Sequence, residues 1–535
     1  MKQKLTIIAT LLVMAFSSAS YGQTRYLDDV FTGVTVTDSV IYSLNHTIYY
    51  WVLNVGPKDT IIAPLYMDVY EPAGDTATDR PVLLFGITGT FFQSYVNGGF
   101  TGERNDTVCV NFAKRMAKKG YVVAVVQYRR GWLAGASALA QQKTILHAAY
   151  RGIQDMNTAV RYFKKNKALW GVDTTRIAVG GHGTGAYMSY GATYLDRFEQ
   201  TLLPKFIDFS DTANPTPFLD TLLFGNPTGT TAGYINNPNH ANHTSDFKVG
   251  FGLGGALGDS SWVEAGDAPF ISMHSYKDPG QPYFVGDIIA IDGTNGQPFA
   301  VIPTGAGGKG VLSRATRLGN QDIFNGIQWQ DPYNQAAAAS SWNDGAEGLY
   351  TFVTPFTPGV DAMCDGIGVV GDTLTEWGSV WTYFDSATAV NTWNFIWQGT
   401  MDPGAQVYCR QTRGFPNERS LYESYMDTVI GFLTPRLYTA LEYAPKVKIN
   451  DLLEDRAVSV FPNPSNDLMT IHYTGVDAKP INEVRVMDIS GRLVKSFTGM
   501  NSTEFTFSKD ELSAGLYLLQ IRVGDHISNK KVVFN

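Results

Sequence analysis

The sequence predicts an α/β domain built on a mostly parallel sheet, followed by a small all-β sandwich. Three observations lead there. Short apolar runs, Val82-Leu83-Leu84-Phe85, Tyr121 to Val126, Ile177-Ala178-Val179, Phe247 to Leu253 and Phe270-Ile271-Ser272-Met273, alternate with stretches of helical spacing. Strands apolar on both faces belong to sheets covered on both sides. The third run leads directly into a glycine-rich turn, Gly180-Gly181-His182-Gly183-Thr184-Gly185, and then into a helical pattern. Residues from about 455 to 535 change character, to short alternating strands separated by turns, the pattern of a sandwich.

Each element follows in order. Lys2 and Lys4 precede an apolar run from Leu5 to Phe16, and small residues continue through Ser20-Tyr21-Gly22. This basic, apolar, small order is that of a secretory signal peptide. The run is about twelve residues, short of the ~20 needed to span a bilayer, so residues 1–22 are expected to be cleaved and residues 23–445 to form the main domain. Tyr26 to Asp75 alternates apolar and polar residues as strands do. Helical spacing covers 109–119, 141–166, Tyr187 to Leu195 and Leu421 to Leu441, the last with Pro435 inside or at its end. The stretch from about 290 to 415 is rich in Gly, Asn, Asp and Ala and holds six of the ten tryptophans (Trp329, Trp342, Trp377, Trp381, Trp393 and Trp397), which marks it as an insertion or cap over the sheet's carboxyl edge. The tryptophans are expected to form that insertion's core, with a stacking surface for sugar or lipid as the alternative. Residues 446–454 read as a linker.

Composition narrows the class. A formal net charge of −8 argues against a nucleic-acid partner. No later stretch is long and apolar enough for a transmembrane segment. Three cysteines make neither a disulfide scaffold nor a zinc site. Cys364 and Cys409 are candidates to pair, and Cys109 is expected to be a buried thiol. His240 and His243 lie in a Pro/Asn loop without Cys or clustered carboxylates, so a surface loop is expected there rather than a metal site. No metal and no cofactor is expected. Asp155 is expected to anchor its helix to a loop.

The main body resembles bacterial secreted carboxylesterase/lipase-type α/β-hydrolases. The strings that carry this are Asp68-Val69-Tyr70-Glu71-Pro72, Gly120-Tyr121-Val122-Val123-Ala124 with Tyr128-Arg129, Arg151-Gly152-Ile153-Gln154-Asp155, and Asp173 with Arg176 to Gly181. They cover about 26–290 and return at 421–441. The resemblance implies an α/β-hydrolase fold whose G-x-S-x-G elbow lifts a serine above the sheet. Here the aligned residues are Gly181-His182-Gly183-Thr184-Gly185, and the nucleophile position is Gly183. The oxyanion-loop equivalents are Thr88 and Gly89, with the amide of Thr184. The resemblance implies a triad acid in a His-x-x-x-Asp-x-x-x-Pro pattern after the penultimate strand, which His274, Asp278 and Pro282 fit, so Asp278 takes the triad-acid position. The triad histidine should follow it, yet no histidine occurs between His274 and His472. Thr184 as nucleophile and His182 as base are the only substitutes nearby. Triad members act as a unit, so the expectation is a non-catalytic homologue that binds an apolar or glycan ligand. The alternatives are a hydrolase with a rearranged site, and a structural or adhesive surface protein.

The last unit resembles the type A sorting domain of the type IX secretion system of Bacteroidota. Val460-Phe461-Pro462-Asn463-Pro464, Gly491-Arg492-Leu493-Val494, Leu512 to Leu519 and Lys530-Lys531-Val532-Val533 carry that resemblance. It implies passage through the general and type IX secretion machineries to the cell surface or medium.

Overall fold

The computed structural model describes residues 24–47, 60–92, 102–276, 278, 280–292, 295, 297–325, 331–355, 374–375, 418–443, 457–475, 479–488, 492–524 and 526–535. The expected signal peptide, the linker, Cys364, Cys409 and five of the six tryptophans of the expected insertion (all but Trp342) lie outside them. The chain divides into two units, Met1–Tyr443 and Ala444–Asn535.

The first unit has the α/β-hydrolase fold, centred on an eight-stranded sheet. In chain order its elements are β1 (Val34–Thr47), β2 (Ile61–Pro72), β3 (Arg80–Gly86), α1 (Thr107–Lys118), β4 (Val122–Val126), α2 (Ala138–Lys165), β5 (Val172–His182), α3 (Thr184–Tyr194), β6 (Val249–Leu253) and β7 (Phe270–Ser275). A hairpin of β8 (Val285–Ile291) and β9 (Pro298–Ala306) follows, then α4 (Gly308–Arg317), β10 (Leu349–Phe352) and α5 (Glu418–Ala440). The sheet order is β1-β2-β4-β3-β5-β6-β7-β10. β1 and β2 are antiparallel to their neighbours, and from β4 to β10 every pairing is parallel. All seven residues of β3 are buried, as expected of a central strand with helices on both faces.

Side-chain size sets the layers. Phe85 stacks on Phe112 of α1 at 4.3 Å between ring centroids, and α1 buries Val108, Phe112 and Met116 along one stripe. On the other face α2 and α3 approach closely. A Cβ at Gly191 would lie 2.2 Å from Ile153 Cδ1, and one at Gly152 would lie 2.1 Å from Met188 Sδ. Helix α2 is buried over most of its length, polar residues included, because loop 220–245 covers it. Arg161 donates to Thr228 O at 2.7 Å and Asn239 O at 3.1 Å. Tyr150 donates to Gly225 O, and Gln154 donates to Phe224 O and Asn226 O. Such side chains are tolerated inside only when so satisfied.

One boundary is corrected. The segment expected to be an insertion from about 290 supplies β10, which pairs with β7 in register Leu349↔Ser272 to Phe352↔Ser275 and completes the main sheet. β9 and α4 also pack onto the sheet domain. Leu349-Tyr350-Thr351-Phe352 is only four residues long and lacks the continuous apolar run that marks longer buried strands. Trp342 packs on Tyr276, ring centroids 3.6 Å apart. Cys109 is buried on α1. Among the described residues no helix is long and apolar enough to cross a membrane.

The second unit is all-β. β11 (Val458–Phe461), β12 (Leu468–Tyr473) and β15 (Glu504–Ser508) form one sheet. β14 (Leu493–Ser502), β13 (Ile481–Met487), β16 (Gly515–Val523) and β17 (His526–Phe534) form the other. Met469, Ile471, Val484, Val486, Leu519 and Ile521 face inward between them.

Candidate functional site

The elbow is built by backbone crossing backbone. β5 ends at His182, and α3 begins at Thr184. Gly183 between them has φ 55° and ψ −115°, a region costly for any residue with a Cβ. A Cβ at Gly185 would lie 2.0 Å from Gly86 O, and one at Gly181 would lie 2.4 Å from Gly185 O. Glycine is therefore required on both sides of the apex, and the turn sits directly against the carboxyl end of β3.

At the apex the space is filled. A Cβ at Gly183 would lie 2.2 Å from Thr88 Oγ1. The same Thr88 oxygen accepts a hydrogen bond from Thr184 N at 3.3 Å. The Thr184 hydroxyl is hydrogen-bonded to the Tyr128 hydroxyl at 2.7 Å. Burial pushes the Tyr128 phenol up to about 12, so it is no base at neutral pH. His182 is buried, and burial pushes its imidazole down to about 3. The oxyanion-loop equivalent is sharply bent, with φ 128° at Gly89, 54° at Thr90 and 60° at Phe91.

Asp278 lies in the loop after β7. Its Oδ1 accepts from Gly280 N at 2.9 Å and Gln281 N at 3.0 Å. The Gln281 side chain accepts from Gly255 N. Gly255 in turn packs on Ala186 and Tyr187 in the first turn of α3, so the acid loop is tied to the elbow helix. Asp278 and Tyr187 interact electrostatically. Among the described residues no cation is paired with Asp278. Burial raises its carboxyl from 3.8 to about 6. The sign follows: the native state binds this proton more tightly than the unfolded chain. Stability from this group is greatest below pH ~4 and falls as pH rises through ~6. Asp278→Asn is expected to raise the melting temperature at pH 7.5, with the difference vanishing below pH 4. An equal melting temperature at both pH values would count against this.

The remaining residues singled out make contacts within the fold. His274 is buried at the end of β7, and its Nδ1 accepts from Gly308 N at 3.3 Å, joining strand to α4. His240 Nε2 meets Tyr42 O at 3.0 Å. No group of three His, Cys, Asp or Glu able to hold a metal occurs among the described residues. Asp155 accepts from both the backbone N and the Nε of Arg129, at 2.7 and 2.9 Å. It thus joins α2 to the loop after β4. The resemblance places Thr88 in the oxyanion-loop equivalent, but neither its filling of the Gly183 apex nor Tyr128's contact with Thr184 carries a local signal in the sequence.

Two family models match the chain, one within each unit. Residues 67–214 match the BD-FAE family model, a span that includes the elbow and the loop at Thr88 and ends before Asp278. Residues 459–535 match the secretion system C-terminal sorting domain. The chain is similar to secreted lipase 1 of Botryotinia fuckeliana (strain B05.10), 27% identical over 164 residues, which are 29% of this chain and 26% of the relative. The chain thus spans about a quarter of that relative's length. Among solved structures, esterase 2 of Thermogutta terrifontis aligns over 50% of this chain and 78% of its own, at 16% identity and TM-score 0.26. A truncated carbohydrate esterase from gut microbiota aligns over 48% and 81%, at 15% identity and TM-score 0.27. The chain carries an esterase-type α/β-hydrolase domain and a type IX sorting domain, and the latter directs it to the cell surface or medium.

Proposed function

We propose that this exported α/β-hydrolase-type protein does not hydrolyse esters and acts by binding. The observation that supports this best is the apex itself, where Gly183 offers no nucleophile while the strained turn around it is kept. The neighbouring groups do not replace it. The Thr184 hydroxyl is paired with Tyr128, and a nucleophilic hydroxyl needs a base beside it. His182 is buried, and Asp278 contacts backbone amides of its own loop. An intact oxyanion hole alone retains some ~10³–10⁴-fold rate over water, but here the Thr184 amide is engaged by Thr88.

The test is a p-nitrophenyl acetate and butyrate assay on the purified protein. No turnover above buffer is expected, and Thr184→Ala should change nothing. Turnover abolished by Thr184→Ala or Asp278→Asn would instead establish a hydrolase with a rearranged site. Glycan-array and lipid-binding measurements then identify an apolar or glycan ligand. Binding of neither would favour a structural or adhesive surface role.

A further inference from the structure

The apex is occupied, and something holds the occupant there. Thr88 follows β3 and reaches the elbow through a loop in which two consecutive non-glycine residues, Thr90 and Phe91, have φ of 54° and 60°. Backbone in that region persists only where its surroundings over-determine it. Here the surroundings are the three residues Arg130-Gly131-Trp132. Gly131 N donates to Phe91 O at 2.7 Å. Trp132 Nε1 donates to Thr90 O at 2.9 Å. Arg130 Nη1 donates to Phe92 O at 3.2 Å. The Trp132 ring stacks on Phe92 at 4.8 Å. Within the loop, Phe92 N donates to Gly89 O at 2.8 Å. Every backbone carbonyl from Thr90 to Phe92 is thus held by the 130–132 segment.

The consequence is at the other end of the loop. Thr88 Oγ1 takes the volume a side chain at position 183 would need, 2.2 Å from its Cβ. It also accepts the Thr184 N–H. We propose that Thr88 is an autoinhibitory plug of the elbow, held by the Arg130-Gly131-Trp132 strap, which keeps the oxygen of an acyl ligand from the Thr184 amide. The inference rests on the non-catalytic reading, because a site that turned over esters would have to admit that oxygen. It also bears on it: the missing nucleophile has not left an open pocket, and a ligand reaches the elbow only when the strap lets the loop move.

Sodium butyrate is the probe, a carboxylate with a short acyl chain, titrated into the full-length protein labelled with 15N-threonine. In Thr88→Ala the Thr184 amide resonance should shift saturably. If fewer than one molecule in ten of the wild type is open, its apparent affinity will be at least about tenfold weaker. Trp132→Phe keeps a ring to stack on Phe92 and removes the N–H to Thr90 O, so it should fall between the two. Thr88→Ser keeps the hydroxyl and should behave as wild type. Wild type binding butyrate as tightly as Thr88→Ala would overturn the plug. So would a Thr88→Ala protein with native dispersion of its other threonine amides but no response at Thr184. Hydrolysis of p-nitrophenyl butyrate by the wild type is a separate failure, that of the non-catalytic reading.

Discussion

Gly183→Ser lowers the stability of the first unit by about 2–6 kcal/mol and creates no esterase. The loss has two sources. A side chain at φ 55° and ψ −115° costs about 1–3 kcal/mol in backbone strain. Its Cβ would also meet Thr88 Oγ1 at 2.2 Å, and over-packing a filled site costs a further ~1–3 kcal/mol. The two act at neighbouring atoms, so Thr88→Gly combined with Gly183→Ser should recover part of the loss, as expected of residues in contact. No activity is expected of either variant, because a serine without an adjacent base is a poor nucleophile. Urea denaturation of the single and double variants measures the coupling, and p-nitrophenyl acetate measures activity. Full stability of Gly183→Ser would show that Thr88 moves aside at little cost. Turnover by it would reveal a base among groups assigned no such role.

Asp155→Ala is expected to cost about 3–5 kcal/mol, the usual result of stripping one partner from a fully buried ion pair. Arg129 and Asp155 each have 0% exposed side chain and lie 2.9 Å apart. Asp155 also accepts the backbone N–H of Arg129. Arg129 donates further to Ile235 O and to Gln154 Oε1, and the buried cations Arg151 and Arg161 also feel the Asp155 charge, so losing the carboxylate leaves Arg129 buried without its anionic partner. The damage reaches the elbow, since Arg129 sits between Tyr128, which holds Thr184, and the strap at 130–132. Thermal unfolding of the variant should begin well below that of wild type. A melting temperature within two or three degrees would mean that water or a rearranged side chain takes the carboxylate's place.

The elements that could be read along the chain are those whose evidence is local. β3, β4, β5, β6 and β7 are apolar on both faces, so each declares itself within a few residues. The turn at 181–185 is readable because three glycines in five positions have a stated steric purpose, which the 2.0 Å approach to Gly86 O repeats. β10 escaped because four residues carry too little pattern. In the second unit the alternating runs Met469 to Tyr473, Val484 to Asp488 and Leu516 to Val523 mark β12, β13 and β16, while β11, β14, β15 and β17 escaped as well. β14 is largely exposed, with Lys495, Thr498 and Ser502 along it, so its apolar alternation is weak.

The sequence by itself determined which side chains stand at the positions the resemblance singles out. Gly183 has no side chain, and no histidine lies between His274 and His472; no folding of the chain restores an absent functional group at those positions. Composition and order likewise determined the parallel sheet and the exported, two-unit plan. Only the tertiary structure decided what became of the remaining groups. Thr88 meets Gly183 although they are 95 positions apart in the sequence, and Tyr128 meets Thr184 although they are 56 apart. Contacts of that range depend on how β3, β4 and β5 pack side by side, and no local spacing encodes them. The elbow at Gly183 therefore reads from sequence as a turn with no side chain at its apex, and from structure as one whose apex space is taken by Thr88.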